Sequence, residues 1–233
     1  MRSLAGGASV RGPAHQLDGS PNQDALCVSG LAGGWCIAVA DGLGSRPLSH
    51  LGSRKAVQLF RQLARQQRDI PHSSIAKSLR DAWLAHFGDR YRLHETTCLW
   101  ARVNGQGQGV AGQIGDGLLL IRSRGVFRIL TNQRQGFGNQ TMTLAQAATG
   151  ADCSINFELC EPGDGVLLMT DGISDDLIPE QLEPFFEAVY QRQLRASKRR
   201  MRQWLTRELN GWSTPRHGDD KTIAGIFRTD SSR

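Results

Sequence analysis

No stretch of this chain reaches the roughly 18 uncharged apolar residues that a membrane span requires. The N-terminus likewise lacks the basic segment followed by an apolar run that directs secretion. Those absences lead us to expect a cytoplasmic protein rather than a membrane one. Disulfide chemistry is also scarce. The five cysteines, Cys27, Cys36, Cys98, Cys153 and Cys160, are odd in number and include no Cys-x-x-Cys pair, as expected of buried free thiols in a reducing compartment. None has an adjacent His or a following Gly-rich loop, which argues against a catalytic thiol. The six His are scattered, too thinly for a histidine-rich dinuclear site. No repeat, low-complexity tract or linker divides the 233 residues, so residues 1–233 are read as one domain.

What the chain has in quantity is glycine, 27 residues, together with 39% apolar residues, a balance that suits a turn-rich globular protein with a sizeable core. Its net charge of +6 is local. Residues 192–207, RQLRASKRRMRQWLTR, hold seven Lys/Arg and no acid, which leaves 21 basic against 22 acidic residues elsewhere. Leu194, Met201, Trp204, Leu205 and Leu209 recur at helical spacing, so the segment is predicted to be a helix with one face on the body and a basic face outward. That face is a solvated surface, or else it docks acidic or phosphorylated partners or nucleic acid.

Apolar alternation and turn dipeptides predict an element order. A hairpin (Ala25–Ser29, Trp35–Ala40) precedes two helices, Ser49–Gln67 with Ser49 as cap and Ser74–Phe87. Strands Thr96–Val103, Gln108–Ile114, Leu118–Ser123 and Val126–Leu130 then read as an antiparallel meander. The Gln-, Asn-, Thr- and Gly-rich stretch Thr131–Gly150 has neither period and reads as a loop or flap. Strands Ser154–Leu159 and Gly165–Thr170, a helical region from Pro179 through the basic segment, and a strand Lys221–Arg228 complete the chain.

Four aspartates sit where strand-like runs end or begin: Asp41 in CIAVADGLG, Asp116 in GQIGDGLLLI, Asp171 in GVLLMTDGISDD and Asp219 in GDDKTIAGIF. A carboxylate at a strand terminus is rigidly held yet open to solvent, and several such ends brought together supply the oxygen ligands that hard divalent cations prefer. An Asp-Gly dipeptide alone is a common turn signal, and this chain has five. Position separates them. Asp164 opens the strand that Asp171 closes, and seven residues of strand set them about 23 Å apart, so both cannot serve one site. Asp164 is read as a turn residue. With no His or Cys beside these motifs, Mg²⁺ or Mn²⁺ is expected rather than Zn²⁺. Paired cations there would neutralise a phosphomonoester dianion and lower the pKa of a bridging water. Other phosphate-cleaving chemistries are a poorer match: no two Asp spaced by one residue follow a strand directly, and no Cys precedes a loop ending in Arg.

The motifs NQDA (22–25), ADGLG (40–44), IGDG (114–117), MTDGISD (169–175) and GDDKT (218–222) together resemble the metal-dependent Ser/Thr protein phosphatases of type 2C, short bacterial members especially. The resemblance covers nearly the whole chain. It implies an α+β fold, a sandwich of two mostly antiparallel sheets flanked by helices on the outer faces. It also implies hydrolysis of phosphoserine and phosphothreonine on proteins by a water bridging two Mg²⁺ or Mn²⁺ ions, opposite a Ser/Thr kinase. By the same resemblance Asp41 bridges two ions, the Gly42 carbonyl adds a ligand, and Asp171 and Asp219 complete the second ion's set. Asp24 holds a water of the site, and Asp116 with Asp171 can bind a third ion. Asp220 is the alternative to Asp219, which is favoured. The family's phosphate-gripping Arg has no counterpart just before NQDA, so that role falls to Arg11, to His15 or to no residue. Gln23 stands where many members have Glu, and Leu43 where some have a His proposed to protonate the leaving group. These departures motivate an alternative, a catalytically weak or inactive member acting as a regulatory phosphoprotein-binding module. Nucleic-acid binding through the basic segment ranks last, since no nucleic-acid module is recognisable.

Overall fold

The computed structural model describes residues 2–66, 72–130, 141–147, 153–212 and 218–229. Ten strands form two five-stranded antiparallel sheets, ordered β1-β10-β9-β6-β7 and β2-β3-β4-β5-β8. The first sheet contains β1 (Arg2–Val10), β6 (Leu118–Ser123), β7 (Val126–Leu130), β9 (Gly165–Met169) and β10 (Lys221–Thr229). The second contains β2 (Ala25–Leu31), β3 (Gly34–Ala40), β4 (Cys98–Val103), β5 (Gln108–Ile114) and β8 (Cys153–Glu158). Short α1 (Pro13–Asp18) follows β1, α2 (Ser49–Gln66) and α3 (His72–Phe87) follow the first hairpin, and α4 (Asp171–Ser174), α5 (Leu182–Leu194) and α6 (Lys198–Gly211) lie between β9 and β10.

The layering follows from the period-2 alternation of the central strands. In β3, Ile37 and Val39 point to the other sheet, where they meet Leu119, Ile121, Val166, Leu168, Ala224 and Ile226. Cys36, Ala38 and Ala40 point the other way, onto Ala56 and Phe60 of α2 and Leu79 and Trp83 of α3. The mirror arrangement covers the first sheet, with Leu120, Leu167, Met169 and Phe227 under Phe186 and Val189 of α5 and Met201, Leu205 and Leu209 of α6. The result is the expected α+β sandwich with helices on both outer faces.

Several expectations are refined. The predicted four-strand meander divides, β4 and β5 joining one sheet and β6 and β7 the other, so residues 115–117 carry the chain between sheets. Gly115 has φ 94° and Gly117 has φ 100°; a Cβ on Gly115 would lie 2.5 Å from the Thr97 side chain, so only glycine can make this passage. The strand β1, which pairs with β10 from Arg2↔Thr229 to Val10↔Lys221, was not anticipated. Its run SLAGGASV has no β-branched residue before the final Val. Packing requires that thinness: a Cβ on Gly7 would lie 2.6 Å from the Ile223 carbonyl oxygen. The helical region beyond Pro179 is not continuous. A single 3-10 turn (Pro179–Gln181) leads into α5, and Ser197, whose Oγ accepts from the Arg200 N–H, starts α6 afresh. Ser49 opens α2, but its buried hydroxyl makes no capping bond. Residues 131–140 and 148–150 of the predicted Thr131–Gly150 loop lie outside the described residues; of the rest, Leu144–Gln146 form a 3-10 turn closed by a Thr143–Gln146 capping box. Among the described residues Cys27, Cys36 and Cys98 are buried free thiols, whereas Cys160, expected to be buried, is exposed. No described helix is long and apolar enough to cross a membrane.

Candidate metal centre

Antiparallel pairing brings the C-terminal ends of β3 and β9 and the N-terminal ends of β6 and β10 to one end of the sandwich, and each carries one of the singled-out aspartates. Asp41 follows β3. Its N–H donates to Thr97 Oγ1 at 3.0 Å, and its carbonyl accepts from Thr96 Oγ1 at 2.7 Å and the Thr97 N–H at 2.8 Å. Asp171 begins α4 directly after β9, its carbonyl bonded by the Asp175 N–H. Asp116 occupies the crossing between sheets, where Thr141 Oγ1 donates to its Oδ2 at 2.5 Å. Asp219 lies two residues before β10, with its Oδ1 accepting the Asp220 N–H at 2.7 Å.

These four carboxylates line one pocket of about 230 Å³, together with His15, Gln23, Gly42, Leu43, Gly44, Thr97 and Thr141. One ligand oxygen from each of Asp41, Asp116 and Asp171 lies within 4.8 Å of the others. Among the described residues no Lys or Arg lines the pocket. Asp24 sits behind it, 5% exposed, accepting from Thr170 Oγ1 at 2.8 Å through Oδ2, while its buried Oδ1 has no partner. Thr170 is held in turn by the Thr222 N–H at 3.0 Å.

Asp219 and Asp220 separate cleanly. Asp220 is 1% exposed and accepts from the Gly12 N–H at 2.7 Å and the Gln23 N–H at 2.6 Å, and its Oδ2 lies 2.9 Å from His15 Nδ1. It ties α1 and the NQDA segment to β10, and it is Asp219 that lines the pocket. His15 reaches the pocket wall. Arg11 does not line it; its guanidinium donates to the Ser20 carbonyl at 3.3 Å. Asp164, at the far end of β9, accepts N–H bonds from Arg124, Gly125, Cys160 and Glu161, the turn role expected of it. Thr97, Thr141 and Thr170 were missed by sequence reasoning, because a lone Thr carries no motif.

The electrostatics identify what the pocket lacks. Burial first, then the charge of Asp24, Asp171 and Asp219, pushes the Asp41 carboxyl well above its ordinary range. Burial pushes Asp24 up to about 7 against its hydrogen bonds from Thr222 and Thr170, and Asp220 adds to the rise. Asp171 goes up to about 6, through burial and then the charges of Asp116, Asp219 and Asp175. For His15 burial is the largest influence and lowers the pKa, but the hydrogen bond and charge of Asp220 outweigh it and the net shift is upward. Carboxylates so crowded, with one buried oxygen unpartnered, call for positive charge that no described residue lining the pocket supplies. An all-oxygen donor set suits Mg²⁺ or Mn²⁺.

The fold is a sandwich of two sheets with an acid-lined cleft at one end, and the chain belongs to a particular family of that architecture. Residues 11–210 match the family model for protein phosphatase 2C, and the chain is a member of that family. No curated protein matches it. Solved structures of similar fold include the catalytic domain of the serine/threonine protein phosphatase PstP in complex with two manganese ions, at 18% identity over 98% of this chain and 99% of that one (TM-score 0.69). The Mycobacterium tuberculosis phosphatase PstP/Ppp is 16% identical over 99% of this chain and 100% of that one (TM-score 0.69). RsbX in complex with magnesium is 18% identical over 97% and 94% (TM-score 0.62). At these identities the likeness establishes the fold.

Proposed function

We propose that this protein hydrolyses phosphoserine and phosphothreonine esters on proteins, using Mn²⁺ or Mg²⁺ held at the carboxylate cleft. The observation that carries the reading is the convergence of Asp41, Asp116 and Asp171 from three separate elements, with ligand oxygens within 4.8 Å. Asp41, Asp171, Asp219 and the Gly42 carbonyl would hold two ions, and Asp116 with Asp171 a third. Bound there, the ions supply the charge that neutralises a phosphate dianion and acidifies solvent for in-line attack.

The chain's own residues do the rest. Thr96 and Thr97 fix the backbone of Asp41 from both sides, so its carboxylate is presented without reorganisation. Asp24 stands behind the cleft, held by Thr170 through Oδ2 and with its Oδ1 unpartnered, where it can accept from a water of the site. Asp220 holds α1 and His15 at the rim, where the imidazole faces the space a phosphate would fill. An opposing Ser/Thr kinase must supply the substrate. The buried free thiols favour a reducing, cytoplasmic compartment.

The test is turnover of p-nitrophenyl phosphate with Mn²⁺, expected in the wild type and abolished in Asp41→Ala and Asp171→Ala. Unchanged turnover in those variants would refute the site. Metal binding without turnover in the wild type would favour the regulatory binding module instead.

A further inference from the structure

The metal centre accounts for the acidic end of the molecule and leaves the basic segment without a role. Arg192, Arg195, Lys198, Arg199, Arg200 and Arg202 are all exposed, and none has a carboxylate partner among the described residues. Two are held in place by aromatic faces: Arg192 lies 5.3 Å from the Trp204 ring centroid and Lys198 lies 5.2 Å from that of Trp35. Exposed Leu194 sits among them.

The position of this surface is fixed by β1. Lys198 stands over Trp35, whose indole N–H donates to the Ser3 carbonyl at 3.2 Å. Further along α6, Met201 covers Gly6, where a Cβ would lie 3.3 Å from Met201 Cγ. Thus α6 starts at the Ser3 end of β1 and runs toward Val10, which pairs with Lys221 beside the metal centre. Val10 is about 23 Å of strand from Ser3 and about 13 Å from Gly6, so the cations around Lys198 and Met201 stand well back along the sandwich from the cleft. They cannot touch a phosphate bound there.

We propose that this surface docks an acidic segment of the phosphoprotein substrate while its phosphorylated residue occupies the cleft. The identity of the partner rests on the phosphatase reading; the binding itself does not. The separation requires the acidic segment to lie at least about four extended residues from the phosphorylated one. Charge complementarity selects the occupant. The apolar side of α6 (Met201, Leu205, Leu209) is buried in the body, which leaves no face to enter a lipid surface. No aromatic is among the exposed large hydrophobics of the described residues, so the stacking platform of a single-strand nucleic-acid site is missing. The patch is also short, because the preceding half of α5 carries Glu183 and Glu187, which pair with Arg122 and extend no basic surface to a long polyanion.

The test compares two peptides carrying the same phosphoserine and a Gly/Ser linker of about twelve residues, one ending in about six Glu and the other in as many Gln. With Mn²⁺ at low salt, the Glu peptide is expected to show a KM about tenfold or more below that of the Gln peptide. The advantage should vanish in the triple variant R199E/R200E/R202E and at high salt, while p-nitrophenyl phosphate turnover stays the same in both proteins. Fluorescence anisotropy of the unphosphorylated Glu peptide reads the surface independently of catalysis: wild type binds and the triple variant does not. Loss of turnover with retained anisotropy would therefore implicate the phosphatase reading alone. Equal anisotropy for the two proteins, equal KM for the two peptides, or tighter binding of a short labelled RNA than of the Glu peptide would overturn the proposal.

Discussion

The two ends of β9 carry the same dipeptide, Asp-Gly, and put it to opposite uses. At one end Asp164 is fully buried and its carboxylate is met by four backbone N–H groups. At the other, Asp171 faces Asp116, Asp219 and Asp175, whose charges together with burial hold its carboxyl up to about 6. One aspartate is a staple whose charge is already satisfied; the other is a charge waiting for a counter-ion. A half-buried carboxylate that faces other carboxylates, with no cationic partner among the described residues, is therefore the feature that separates a functional aspartate from a structural one in this fold.

That contrast can be broken at either end. The largest effect is expected from Asp171→Asn or Asp41→Asn, which should lower Mn²⁺-dependent turnover by about a hundredfold or more, measured with p-nitrophenyl phosphate. The same variants should raise the melting temperature of the metal-free protein, because they remove one of several like charges. Asp164→Ala should do the reverse. Leaving four N–H groups without their acceptor is expected to cost about 3–5 kcal/mol in urea unfolding, with kcat per folded molecule unchanged. A catalytic defect without lost stability at Asp164, or the opposite pattern at Asp171, would dissolve the distinction.

The third expectation concerns pH. Asp24 and Asp171 bind protons more tightly in the folded state, up to about 7 and about 6, than at their ordinary value of 3.8. Between about pH 4 and 7 the native state thus holds more protons than the unfolded one, and metal-free stability should fall as pH rises through that window. Saturating Mn²⁺ should remove most of the slope, as read by melting temperature. A metal-free protein that gains stability over this range would contradict the crowding of charges. A smaller effect is expected from Gly115→Ala. At φ 94° and with Thr97 in the way, the added methyl should cost about 1–3 kcal/mol and displace Asp116 enough to weaken metal affinity by titration calorimetry.

Much of this was legible in the sequence, for physical reasons. Strands such as CIAVA and GVLLM bury both faces between a helix layer and the other sheet, so they read as continuous apolar runs, and the aspartates ending them stand out by position. The choice of Asp219 over Asp220 rested on resemblance; in the structure Asp219 lines the pocket while Asp220 accepts from Gly12 and Gln23. What was not legible depends on partners distant in the chain. The strand β1 is built of small residues because Met201 and Ile223 press against it, and packing of that kind erases the β-branched signature of a strand. The passage from one sheet to the other at Gly115–Gly117 looks like any turn until the pairing of β4 with β5 and of β6 with β9 is known. One helix ends at Leu194 and Ser197 begins another within a run whose basic character suggested a single element.

The central claim is that aspartates from four separate strand ends share one cation site. Anomalous diffraction from a crystal soaked in Mn²⁺ tests it most directly: two peaks are expected within coordination distance of Asp41, with Asp171 and Asp219 on one of them. Manganese found elsewhere, or a cleft empty of it at saturating concentration, would contradict the account.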